Sequence, residues 1–255
     1  MSNPSNAVSQ TLAMAGRALI KMRRNPEQFF DVTLQPLLFT AMFTYIFGGA
    51  VAGSTESYLP LIIPGILAQT ALTACMATGI QLREDMDKGV FDRFRSLPIS
   101  RIAPLAGPAI ADLVRYAIAA TLTIVVGLAM GYRPGGGVPG VLGGWLLIVF
   151  AAWSLGWIFT WFGTIARSAQ AVQGFSMMIM FPLSFLSNAF VPAQTMPGWL
   201  QAFVSVNPVT LVIDACRDLM NDGRLTSNVL WAVVGCIGVV AIFAPLAVRS
   251  YSRKL

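Results

Sequence analysis

Apolar residues along this chain fall in long unbroken runs, not in alternation, and six of the runs are long enough to cross a bilayer as helices of roughly 20 residues. They cover approximately 30–51, 59–81, 107–131, 139–163, 171–191 and 228–248. Strands of an outer-membrane barrel would alternate over about ten residues each, which these runs do not. The predicted fold is an all-α integral membrane protein with six transmembrane helices. A single membrane domain over 1–255 is expected, because no polar stretch between runs exceeds about 40 residues.

Three segments break this pattern. Over 7–25, Val8, Leu12, Ala15, Leu19 and Met22 share one helical face while Arg17, Lys21 and Arg24 occupy another. That arrangement predicts a basic interfacial helix, turned toward the first span at Asn25-Pro26. Over 82–101, nine of the residues are charged, yet Leu82, Met86, Val90, Phe94 and Leu97 keep helical spacing. Gly89 is expected to divide this stretch into an extension of the second span and a short helix from Val90 to Ser96, which Leu97-Pro98 stops. A solvated loop would not need Phe91 and Phe94, which look like knobs for a socket, and such a segment between spans is suited to meet another protein or the headgroup layer.

The third segment, 191–225, is too apolar for a plain loop, and Pro192, Pro197 and Pro208 cut it into pieces too short to span. Re-entrant or interfacial helices are predicted there, with Trp199 at the headgroup boundary. Asp214 and Arg217 stand at i,i+3 on the last piece, where a structural ion pair is favoured over a substrate contact.

Composition agrees, with a mean hydropathy of +0.69, 56% hydrophobic and 11% charged residues. Lys and Arg divide unevenly between the loops. On one side are Arg17, Lys21, Arg23, Arg24, Arg83, Lys88, Arg93, Arg95, Arg101, Arg115, Arg167, Arg249, Arg253 and Lys254, and on the other only Arg133, Arg217 and Arg224. Basic loops stay cytoplasmic, so both termini are expected inside, and the net charge of +6 marks topology and anionic lipid contact, not nucleic acid. Ala50-Val51-Ala52 has the small-residue form of a leader cleavage site, but the run before it is itself long enough to span, and cleavage is not expected.

Charges inside the runs are few. Asp31 and Gln35 begin the first, and Asp112 and Arg115 lie one turn apart near the start of the third, where a pair with Arg115 snorkelling is expected. No carboxylate falls at mid-membrane, which weighs against a proton- or sodium-coupled carrier. Trp145, Trp153, Trp157 and Trp161 line one side of the fourth run, where packing or lipid contact is favoured. Gly127 and Gly131 form a small-xxx-small pair for close helix approach.

The triple glycine 135–137 leads into Val138-Pro139 without the Lys-Ser/Thr of a phosphate-binding loop. Histidine is absent, and Cys75, Cys216 and Cys236 have no metal-ligand spacing, so hydrolytic chemistry in this chain is unsupported and no cofactor is expected on it.

The run REDMDKGVFDRFRSLPISR after the second span, with NAFVP, MPGWLQ and NPVT after the fifth, resembles a type-2 ABC transporter permease of the daunorubicin-resistance-like drug and lipid exporters of bacteria. The resemblance covers nearly the whole chain. It implies the permease subunit of an ATP-driven exporter in a bacterial inner membrane, moving an amphipathic or hydrophobic drug, lipid or secondary metabolite. Two copies of a separate ATP-binding subunit carrying ATP and Mg, and a second permease copy or a sister permease, would complete the complex. By that resemblance 82–101 is the coupling region, with Glu84, Gly89, Phe91, Arg93, Phe94, Leu97, Pro98 and Arg101 matching its motif and Phe91 and Phe94 entering the partner's groove. The substrate path would run along the first, second and fifth spans, with Phe39, Phe43, Met177 and Met180 as contacts. A polysaccharide or glycolipid exporter stays open as an alternative. An importer would carry such a loop late in the chain, and a secondary carrier or channel would often show inverted repeats, which 30–131 and 139–248 do not.

Overall fold

The computed structural model describes residues 4–24, 26–91 and 103–253, with side chains described from residue 9 apart from 24, 26–33 and 35. Among these the chain is helical without strands: α1 Pro4–Arg24, α2 Pro26–Ala52, α3 Thr55–Asp87, α4 Ala103–Ala129, α5 Gly137–Ile165, α6 Ala169–Phe185, α7 Gly198–Val206, α8 Pro208–Met220 and α9 Ser227–Arg253. Helices α3, α4, α5 and α9 are long and apolar enough to cross a membrane, and α7 with α8, bent by 78°, would make a fifth if taken as one span. Each predicted run has a helix, but their lengths differ from the predictions.

Helix α3 is the axis of the bundle. Ser54 caps its start, accepting from the Ser57 amide at 3.2 Å. Its 33 residues measure about 50 Å, longer than a hydrocarbon core of about 30 Å, and its last turns carry the charged run Arg83–Asp87. It packs against α2, α4, α5, α6 and α8, and Tyr58, Ile62, Ile63, Ile66 and Cys75 are wholly buried. Its crossing with α5 brings backbones into contact. A Cβ on Gly79 would lie 2.4 Å from the Phe159 carbonyl oxygen, and one on Gly163 would lie 2.6 Å from that of Gly79. Gly127 receives Ile63 of the same chain, whereas Gly131 lies beyond the end of α4 at φ 103° and ends the helix instead of packing it.

Helix α9 packs on α5 and α8 and leaves Leu230, Trp231, Val234, Ile237 and Ile242 exposed. In water such a face would be costly, but lipid tails are as apolar as leucine, so it suits a lipid-facing span. The tryptophans of α5 use their packing option: Trp157 is buried with Ala109 and Ala247, Trp161 meets Phe243 at 5.6 Å, and Trp145 donates to Thr121 at 3.0 Å.

The fifth predicted run extends to 191, but α6 ends at Phe185. Its last carbonyls are satisfied by side chains and a turn, which allows the helix to stop inside an apolar setting. Asn207 donates to the carbonyls of Leu183 and Leu186, both at 2.9 Å, and Ser187 donates to that of Ser184. The Asn207 Oδ1 in turn caps the Val209 amide at 2.9 Å, so one side chain closes α6 and opens α8.

Candidate functional site

At the end of the bundle where Lys21 of α1 and Tyr251 of α9 reach α3, that helix stops as its glycine demands. Lys88 is the C-cap and Gly89 adopts φ 67°, a left-handed conformation that side chains resist. The extension is tied down by ion pairs: Arg83 to Asp87, Lys88 to Glu84 at 3.4 Å, and Lys21 of α1 to Asp85 at 2.6 Å. Arg83 also donates to the Ala166 carbonyl at 2.9 Å, fixing α3 to the end of α5.

Phe91 departs from the sequence expectation. It is 7% exposed, packed with Leu82 and Leu105 and set edge-on to Tyr251 of α9 at 5.4 Å, so it is an internal anchor and not a projecting knob. Its ring finds this apolar seat because the Gly89 turn folds the chain back under α3. Glu84 and Gly89 lie at the surface edge of the same turn. Arg93, Phe94, Leu97, Pro98 and Arg101 fall outside the described residues.

One layer deeper, Asp112 and Arg115 pair at 2.9 Å as their spacing predicts. Arg115 does not snorkel, however. It is 3% exposed and turns inward, donating to Thr78 Oγ1 at 2.7 Å and to the Ala74 carbonyl at 2.9 Å. Three acceptors on α3 and α4 outweigh the reach to water. Thr78 gives its one proton to Asp112 at 2.7 Å, so the Tyr116 hydroxyl, 2.9 Å away, donates to Thr78. The cluster locks α4 to α3 through fully used hydroxyls.

At the opposite end, Asp214 and Arg217 also pair, at 3.2 Å. Arg217 goes further and donates to the carbonyls of Leu61 (3.0 Å) and Asn188 (2.7 Å), while Asn188 donates to Asp214 at 2.7 Å. Pro64 has no N–H, so the Pro60 carbonyl lacks its helical donor, and Asn221 supplies one at 2.9 Å. Asn221 also accepts from Tyr132 at 2.6 Å, and burial pushes that phenol above its ordinary range, keeping it a donor. Asn221→Leu would strand both groups and is expected to lower stability by about 1–3 kcal/mol, read as a drop in melting temperature in detergent. Asn207 and Asn221 were missed as joints by sequence reasoning; the only signal was an asparagine next to a proline at Asn207-Pro208.

The four predicted path residues do not share one surface. Phe39 and Phe43 stack on α2 at 5.7 Å, and Phe43 continues onto Phe190 at 4.4 Å and from there to Phe185 of α6 at 5.6 Å. Met177 faces outward at 40% exposure, whereas Met180 is 7% exposed and belongs to the core. At i,i+3 the two lie near one another on α6, and of the two Met180 is the one that meets the core cluster.

The sequence profile of the ABC-2 type transporter family matches residues 9–221 of the chain. The daunorubicin resistance ABC transporter permease protein of Streptomyces coeruleorubidus is 42% identical over 250 residues, covering 98% of this chain and 88% of that protein. A probable doxorubicin resistance ABC transporter permease protein of Mycobacterium tuberculosis is 25% identical over 245 residues, 94% of this chain and 88% of that protein. A putative transport permease of Pyropia yezoensis is 25% identical over 238 residues, 90% of this chain and 78% of that protein.

Proposed function

The chain belongs to the ABC-2 type transporter family, and from that premise we propose that it is the membrane permease subunit of an ATP-driven exporter of amphipathic drugs. The observation that carries this is the 42% identity to a daunorubicin resistance permease over 98% of the chain, a span that includes the segments 82–101 and 191–225. Lipids or secondary metabolites of similar character fall within the same class.

In this proposal α2, α3, α4, α5, α6 and α9 are six spans of a bacterial inner-membrane protein with both termini cytoplasmic, and the bent α7–α8 pair is a re-entrant cap on the outer side. The ATP site, with Mg, lies on a separate subunit present in two copies, and a second permease copy or a sister completes the path. Glu84, Gly89, Arg93, Phe94, Leu97, Pro98 and Arg101 receive the motion of that subunit, while Phe91 transmits it inward to α9. The form of α3 supports a lever: one continuous helix runs from Pro60 and Leu61, held by α8, to Glu84 at the charged end. Tilting it would move cap and coupling region together. Phe39, Phe43 and Met177 then line the route between copies, with Met180 behind them.

The test is co-purification with the ATP-binding subunit, followed by ATPase stimulation by anthracyclines and lipids in liposomes. Phe94→Asp is expected to weaken subunit association about tenfold, a change of about 1.4 kcal/mol, with membrane insertion intact. Association and transport unchanged in that variant would remove the coupling assignment.

A further inference from the structure

We propose that the apolar cavity between α3, α5, α8 and α9 takes up the end of an acyl chain of a membrane phospholipid, whatever its headgroup. The cavity measures about 210 Å³, and of the side chains around it only Ser154 and Cys236 carry a heteroatom. Ser154 donates to the Phe150 carbonyl of its own helix at 2.8 Å, and the Cys236 thiol is hydrogen-bonded with Ser154, so neither group calls for a ligand. Water in a cavity needs two to four polar partners, which this wall does not offer. An engineered cavity of about 150 Å³ lined by aliphatic and aromatic side chains stays dry and admits benzene, so the occupant suited to this larger one is a hydrocarbon.

A second observation shows why the bundle does not close the space by settling. Helix α5 is pinned on both sides of it by close backbone approach. Toward one end it crosses α3 at Gly79 and Gly163 without room for a Cβ, and toward the other a Cβ on Gly140 would lie 2.2 Å from the Leu219 carbonyl oxygen of α8. The α5 residues that line the cavity, from Ile148 to Leu155, lie between these crossings. Close-packed interiors hold few voids larger than a water molecule, and a fixed frame around one this large points to a resident guest.

Depth and mouth identify where the hydrocarbon comes from. Ala71 and Ala151, both at the wall, are the middle residues of α3 and α5, helices long and apolar enough to cross a membrane. The midpoint of a span lies about 15 Å from either edge of the hydrocarbon core, where chain ends and not headgroups are found. On α9 the wall is Ala232, Gly235, Cys236 and Val239, one helical face at i, i+3, i+4 and i+7. Ala232 and Cys236 are buried whereas Gly235 is exposed, so the cavity opens at Gly235. Trp231, one turn before Gly235, and Ile242, two turns after it, are exposed as well, and the mouth therefore belongs to the apolar stripe that α9 turns to lipid. An amphipathic drug would strand its polar groups against such a wall. The inference rests on α3, α5 and α9 crossing the bilayer and not on what the protein exports.

The experiment reconstitutes the full-length chain in phosphatidylcholine vesicles containing a trace of phosphatidylcholine with a diazirine at the end of one acyl chain, and maps the labelled residues by mass spectrometry after irradiation. The buried wall residues Ala151, Ala232 and Cys236 are expected to carry about tenfold more label than a diazirine placed beside the glycerol ester gives them. Phosphatidylglycerol with the same labelled chain is expected to label them to within about twofold, and daunorubicin is expected not to displace the label. Gly235→Phe, which plugs the mouth, and Ala232→Leu, which fills the wall, are expected to lower the Cys236 label about tenfold. Gly238→Phe is the control, since that position is on the same helix outside the wall and, like Gly235, has nothing within 4 Å to disturb. Label confined to the exposed Trp231, Val234 and Ile242, label unchanged in both the mouth and the wall variants, a tenfold difference between the two headgroups, or loss of the Cys236 label on adding daunorubicin would each overturn the proposal.

Discussion

Arg115→Leu is expected to destabilise the protein by about 3–5 kcal/mol, because it strands the Asp112 carboxylate between α3 and α4 with only Thr78 to satisfy it. The loss extends beyond one ion pair. The Ala74 carbonyl and Thr78 hydroxyl lose their donor as well, and both helices lose the bond that sets their register. Removing the partner too should restore much of the loss: Asp112→Leu combined with Arg115→Leu leaves no buried charge, and hydrophobic replacement of a buried pair is often close to neutral. Thermal unfolding in detergent of the wild type, the single variant and the double variant gives the comparison. A single variant within 1 kcal/mol of wild type would show that the pair is not the clasp described here.

Gly79→Leu is expected to cost about 3 kcal/mol or more and to abolish properly assembled protein. Its side chain would begin 2.4 Å from the Phe159 carbonyl oxygen, an immovable backbone atom, so α3 and α5 must separate along their crossing. Gly163→Leu should behave alike, since its Cβ would meet the Gly79 carbonyl at 2.6 Å. Gly174→Leu is the contrast, because nothing lies within 4 Å of that position. Monodisperse elution of the Gly79 variant with an unchanged melting temperature would contradict the packing of these two helices.

Much of the helical layout could be read from the chain. Runs of apolar residues mark helices in a membrane because every backbone polar group must be satisfied within its own segment. The ion pairs Asp112–Arg115 and Asp214–Arg217 were equally readable, since i,i+3 neighbours meet on any helix. Gly89 ended α3 where its freedom at positive φ suggested. Less could be read wherever a partner lies far along the chain. Asn221 and Pro60 are 161 residues apart, and Asn207 reaches Leu183 across 24, so neither joint leaves a local pattern. The inward turn of Arg115 had the same cause, as its acceptors Ala74 and Thr78 sit on another helix.

Phe91 illustrates the division best. An aromatic residue on a charged amphipathic stretch suggests a knob for some socket, and spacing cannot tell a partner's socket from the chain's own. The fold supplies Leu82, Leu105 and Tyr251, from three separate helices, as the socket. Sequence by itself determined that this is a helical membrane protein, where its helices fall, where its charged amphipathic stretch sits and which family it resembles, because those properties follow from hydropathy, local spacing and short motifs. Only the tertiary structure decided which glycines carry helix crossings, which charges are buried clasps and where an apolar cavity opens beside α9. Each of those depends on atoms brought together from distant parts of the chain, and side-chain identity alone does not encode that proximity.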